Sequence, residues 1–169
     1  MSCNPSEELV EVIDDAGRTI ATVRRKEIRA RRLPHRCVYL FVFNQGGDLF
    51  IHQRTPSKDV YPGYWDVCIG GVLAAGESFQ EGACREAMEE LGAVVDPEPL
   101  FPFRYADAAT IVQAMVYRVV HDGPFQLQPE EIVSGAFVTL GELKGRIAQA
   151  PFCPDGLAAL AEYDRRGHG

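Results

Sequence analysis

The sequence contains no apolar run near the roughly 18 residues of a membrane span, so no transmembrane segment is expected in its 169 residues. Its N-terminus is polar and acidic and lacks the basic-then-apolar pattern of a secretory leader. The five cysteines, Cys3, Cys37, Cys68, Cys84 and Cys153, are odd in number and never spaced C-x-x-C, which argues against a disulfide framework and a zinc site. Basic charge is scarce: 17 Lys and Arg against 24 Asp and Glu give a net charge of −7, whereas coating nucleic acid needs a basic surface. No internal repeat or low-complexity block is visible. These absences lead to the expectation of a cytoplasmic protein with a small-molecule partner, rather than one bound to nucleic acid or membrane.

Apolar residues make up 46% of the chain, enough for a packed core at this length. "LVEVIDDAGRTIATV" alternates, breaks at Asp14–Gly17 and alternates again, as a β-hairpin with Gly17 in its turn would. The basic segment "RRKEIRARRLPHR" predicts a short helix ending before Pro34. It reads either as a solvated face or as an attractor of anionic substrate. "CVYLFVF" is a continuous apolar run, as expected of a buried strand, and "LFIHQR" returns from the turn "NQGG" as its hairpin partner. "DVCIGGV" predicts a central strand that stops at its glycines; "LFPFRY" with "TIVQAMVYRVV", and "EIVSGAFVTL", predict further strands. Thr139 and Glu142 form a capping box ahead of a short helix, and "PDGLAALAEYDRR" is an amphipathic helix. One domain is expected over 1–169: an N-terminal hairpin and basic segment in 1–34, and a core in 35–169 built on a mixed sheet with helices on both faces.

The segment Gly70–Ala93, "GGVLAAGESFQEGACREAMEELGA", holds Glu77, Glu81, Glu86, Glu89 and Glu90 but one arginine and no lysine. Ser78 and Glu81 form a capping box and Gly92 suits a left-handed helix end, which predicts a helix over 79–91. At 100° per residue, Ala83, Ala87, Cys84 and Leu91 make a narrow core face with Phe79 at its edge. Arg85, Glu89, Gly82, Glu86 and Glu90 make a second arc, where Glu86 neighbours both Glu89 and Glu90. Clustered carboxylates suit a hard divalent cation such as Mg2+ or Mn2+, and Gly82 is expected to leave room for it or for substrate.

The spacing G-x5-E-x7-R-E-U-x-E-E-x-G-U is filled at every polar and glycine position by Gly71, Glu77, Arg85, Glu86, Glu89, Glu90 and Gly92, with Ala87 and Ala93 at the apolar ones. This 23-residue stretch, 71–93, resembles the Nudix box of hydrolases acting on nucleoside diphosphates linked to another moiety. The resemblance implies an α/β/α sandwich and a divalent metal held by Glu86, Glu89 and Glu90, with the Gly71 carbonyl as a further ligand. It implies that Arg85 orients the glutamates and that Glu77 supports the loop Leu73–Glu77 or binds a second metal. Glu89 and Glu90 are candidates for the base; the alternative is a loop acid, for which Glu130 and Glu131 are placed. Arg54 and Lys58 are candidates for phosphate. Tyr61, Trp65, Phe103 and Tyr105 are candidates to stack on a base or sugar, with core packing as their other reading.

"YPGYWDVCIGG" and the N-terminal hairpin are similar to the isopentenyl-diphosphate-isomerase-like branch of this superfamily. An ungapped alignment puts Gly70 at the catalytic cysteine and Val72 at a metal-binding histidine. His35 matches a second metal histidine, Ile28 stands where its partner would be, and Cys68 lies two residues early. The alternatives to a hydrolase are therefore isomerase-like activity and a nucleotide-binding sensor without turnover. Dimers are common in that superfamily, so a homodimer is open to this chain, though no interface is legible in the sequence.

Overall fold

The computed structural model describes residues 4–168, which leaves Cys3 outside the described residues. The N-terminal hairpin forms as expected from β1 (Leu9–Ile13) and β2 (Thr19–Arg24), turning through Gly17 at φ 78°. The basic helix α1 (Arg25–Arg31) follows and stops at left-handed Arg32, before Pro34. β3 (His35–Phe43) is the middle of the molecule. It pairs in parallel with β8 (Ile111–Val120) along its whole length and antiparallel with β6 (Ile69–Val72) over Cys37–Leu40.

The continuous apolar run of β3 has a simple cause: both of its faces are covered. Val38, Leu40 and Val42 meet Ala83, Ala87 and Leu91 of α2 (Phe79–Leu91). Cys37, Tyr39, Phe41 and Phe43 face the opposite layer, where α4 (Pro154–Arg165) packs. Tyr163 of α4 sits edge-on to Phe41, with ring centroids 5.4 Å apart, and stacks on Phe43 at 5.8 Å. Val10, Val12 and Ile28 join this second core and tie the N-terminal segment to it. The result is a mixed sheet between helices, an α/β/α sandwich, with β7 (Glu98–Ala106) antiparallel to β8.

Two expectations about strands need correction. β4 (Leu49–Arg54) leaves its hairpin partner at once: it meets β3 only at Phe43↔Leu49, then pairs with β9 (Ile132–Val138) and with β5 (Trp65–Asp66). "DVCIGGV" is not one strand ending at glycines. It divides between β5 on β4 and β6 on β3, and Gly70 and Gly71 lie inside β6, paired with Tyr39 and Val38. A side chain at Gly70 would place its Cβ 1.9 Å from the Val38 carbonyl oxygen, so the backbones approach too closely for anything but glycine. Both capping-box helices, α2 and α3 (Leu140–Ile147), start where their sequence signals put them. Among the described residues no helix is long and apolar enough to cross a membrane.

Candidate active site

A cleft of about 430 Å³ lies where β4 has parted from β3. Helix α2 supplies its acidic wall. The Ser78 hydroxyl accepts from Glu81 N, Glu81 returns a bond to Ser78 N, and left-handed Gly92 (φ 63°) closes the other end. With both ends set, the rotation of the helix decides which acids turn inward. Glu86 and Glu90, one turn apart, are only 7% and 6% exposed and line the cleft. Glu89 also lines it, but its side chain is half exposed and accepts from Arg85 at 3.2 Å.

This rotation corrects two expectations. Cys84 is exposed rather than part of the core face. Gly82 does not leave room for a ligand: Leu73 fills that space, and a Cβ on Gly82 would lie 2.1 Å from Leu73 Cδ2. The glycine serves close packing of the loop on the helix. Room on the cleft side is made by Gly71 instead, where a Cβ would come within 2.5 Å of Glu86 Oε1.

Arg85 organises the wall. Its Nε and Nη2 donate to the two oxygens of Glu77 at 2.7 and 2.9 Å, Nη1 donates to Glu86 Oε1 at 2.9 Å, and Nη2 also reaches the Val72 carbonyl at 3.1 Å. Glu77 in turn accepts from Ala74 N at 3.0 Å, so it holds the loop and the arginine together. Burial pushes the Glu86 carboxyl above the usual range despite Arg85 beside it. Burial, with the Glu86 charge added, pushes Glu90 up to about 8. No three His, Cys, Asp or Glu side chains among the described residues converge closely enough to hold a metal ion in this side-chain arrangement. The donor chemistry nevertheless fits a hard divalent cation. Two buried carboxylates one helical turn apart line the cleft, Glu86 beside the space that Gly71 leaves open, and positive charge there would relieve both.

The opposite wall carries cations. Arg54 lines the cleft, anchored by bonds from Nε and Nη2 to the Val60 carbonyl at 3.2 and 2.9 Å, with Nη1 3.9 Å from Asp66 Oδ2. Lys58 lines it too and pairs with Glu131, while burial pushes its ammonium below the usual range. Glu130 is exposed. Arg25 and Arg29 of the basic helix also face the cleft, Arg29 bonded to Asp59 at 2.9 Å. Of the aromatic candidates, Tyr61 lines the cleft with its hydroxyl donated to Asp107. Trp65 stands outside it, stacked on Phe152 at 6.4 Å with Arg146 over its ring. Phe103 packs edge-on against Tyr39, and Tyr105 donates to Asp107.

Sequence reasoning missed the floor. Asp66 and Asp155 come from distant parts of the chain and both line the cleft, Asp66 buried and Asp155 half-buried, where Asp155 accepts from the Tyr39 hydroxyl at 2.8 Å. Burial and the charge of Asp155 push Asp66 up to about 6. Cys68 gives Asp66 Oδ1 its backbone N–H and its thiol at 3.2 and 3.3 Å, and burial pushes that thiol well up. An aspartate at the head of an apolar strand was the one available signal for Asp66. Asp155 reads as an ordinary acid in the first turn of a helix.

Comparisons with known proteins bear on the family and the fold. The family model for the NUDIX domain matches residues 33–156. An uncharacterised Nudix hydrolase of Streptomyces coelicolor is 40% identical over 159 residues, spanning 92% of this chain and 88% of its own length. One of Pseudomonas aeruginosa is 37% identical over 92% of this chain and 93% of its own. A crystal structure from Deinococcus radiodurans superposes with a TM-score of 0.78 at 29% identity, covering 94% of this chain and 98% of that one. The box on α2, the sandwich around β3 and these matches lead to one assignment: the chain belongs to the Nudix superfamily of hydrolases.

Proposed function

We propose that this chain hydrolyses a phosphoanhydride bond in a nucleoside diphosphate derivative or a related diphosphate, using Mg2+ or Mn2+. One observation carries the reading: the buried carboxylates Glu86 and Glu90 and the cations Arg54 and Lys58 line the same cleft. Glu86 and Glu90 would hold the metal, joined by Glu89 once it turns from Arg85 and by the Gly71 carbonyl. A divalent cation bound there would neutralise the diphosphate and lower the pKa of a water. Arg54 and Lys58 are set to take phosphate oxygens, and Tyr61 to contact the remainder of the substrate. Glu89 and Glu90 are the candidates for the base, whichever of them the metal leaves free to take a proton. Arg85 and Glu77 position these groups rather than react.

The test is incubation with Mg2+ or Mn2+ and a panel of nucleoside di- and triphosphates, dinucleoside polyphosphates, nucleotide sugars and isopentenyl diphosphate. Release of phosphate, pyrophosphate or nucleoside monophosphate is expected. Conversion of the isoprenoid without phosphate release would replace hydrolysis by isomerisation. Tight nucleotide binding without turnover would replace it by a sensor role.

A further inference from the structure

Helices α3 and α4 enclose a groove of about 560 Å³ that shares no lining residue with the cleft. Its two walls have one pattern. On α3 the wall is Leu140, Leu143, Lys144 and Ile147; on α4 it is Leu157, Leu160, Ala161 and Asp164. Each set is spaced i, i+3, i+4, i+7, so each makes a largely apolar stripe along its helix. A stripe of this kind normally faces a core, yet Leu140 and Ile147 are 42% and 37% exposed. Leu143 is the one buried residue among the eight of α3. A two-turn helix is marginal in water and takes its stability from packing, so α3 lacks the cover its stripe calls for.

Charge identifies the cover. Each wall carries a single charged residue, Lys144 on α3 and Asp164 on α4. Among the described residues neither forms an ion pair, whereas their neighbour Glu162 holds both Arg165 and Arg166. A two-fold axis over the groove lays α3 of each copy against α4 of the other. Lys144 then meets Asp164 of the partner subunit, and the same contact recurs with the roles exchanged. A helix from an unrelated protein would have to supply an apolar stripe with both an acid and a base in matching places. A second copy of this chain supplies all three. We propose that this face is the interface of a homodimer, with four helices packed about a two-fold axis and two Lys144–Asp164 pairs across it.

Sedimentation of the full chain over the micromolar range should show a reversible dimer. Ile147→Asp should give a monomer that circular dichroism finds folded. Lys144→Glu sets two acids face to face at both contacts, and Asp164→Lys sets two lysines there; each should weaken association about tenfold or more. Mixed in equal amounts, these two variants should pair with each other as tightly as wild type does, because every contact in the mixed dimer joins opposite charges. A pair formed within one chain could not produce that rescue. The proposal is overturned if wild type stays monomeric throughout the range, which leaves the groove to a helix of another protein. It is equally overturned by a dimer that both charge variants keep at full strength, or by a mixture in which they remain apart. None of these readouts involves turnover, so the hydrolase reading and this interface stand or fall separately.

Discussion

Arg85 grips Glu77 with a two-pronged bond, Nε to one carboxylate oxygen at 2.7 Å and Nη2 to the other at 2.9 Å, across eight residues of chain. The same guanidinium reaches Glu86, so the loop before α2 and the acid facing the cleft are set by a single side chain. Replacing it with Met leaves Glu77 and Glu86 without their cation; breaking a largely buried pair costs about 3 kcal/mol. Urea unfolding of Arg85→Met should show a loss of that order, with kcat down on any substrate the panel identifies. Arg85→Lys should recover little, because an ammonium cannot match the fork. Wild-type stability in Arg85→Met would refute the assignment.

Glu90, proposed above to hold the metal, also makes stability depend on pH. Its folded pKa, about 8, lies above the ordinary 4.5, so its contribution is complete below 4.5 and is lost as pH rises through 8. Glu90→Gln should therefore melt several degrees above wild type at pH 8.5 and close to it at pH 4.5. Mg2+ should raise the wild-type melting temperature at pH 8.5 and not that of the variant, whose turnover should fall at least a hundredfold. Equal melting curves at both pH values would remove the basis for placing the cation here.

The two box-edge glycines should fail in different ways. Gly70→Ala drives a methyl to 1.9 Å from a backbone carbonyl and should abolish folding or cost several kcal/mol. Gly71→Ala meets the Glu86 carboxylate at 2.5 Å, a side chain that can swing away. Circular dichroism should find Gly71→Ala folded, while assays find it nearly inactive. A fully active Gly71→Ala would argue against a role for this cradle.

His52 is 2% exposed and its Nδ1 has no partner; burial pushes it down to about 3 from 6.5. Above pH 6.5 the ring is neutral in both states and costs nothing by titration. Below it the unfolded chain takes up the proton first, so stability is lost as pH falls toward 3. Asp66, pushed up to about 6, acts in the opposite sense over part of that range. Comparison of wild type with His52→Phe cancels the aspartate: the variant should gain on wild type between pH 7.5 and pH 5. A pH-independent difference would mean that His52 is not buried neutral.

The acidic helix was legible to the residue because its limits are local. A serine with a glutamate three positions on starts it, and a glycine free to turn left-handed ends it. The same holds for the Thr139 box and the Gly17 turn. Which way the helix faces was only half legible. Periodicity sorted its residues into arcs, but only the packed fold shows Leu73 against Gly82, Glu86 and Glu90 buried, and Cys84 outside. Trp65 had the composition of a ligand platform and became a packing partner of Phe152, a neighbour 87 positions away that no local pattern names.

The sequence alone determined the acid set, its spacing on one helix and the arginine among it, because 3.6 residues per turn makes those relations a matter of arithmetic. It also determined that β3 is buried, since an unbroken apolar run has nowhere else to go. Only the tertiary structure decided that β4 parts from β3 after one residue pair and opens the cleft. Only there do Arg54, Lys58, Asp66, Asp155, His35 and Thr110 share a cavity with the glutamates. Those meetings depend on strand pairing and layer packing between distant segments, and such contacts are set by the energy of the whole fold rather than by any window of the chain.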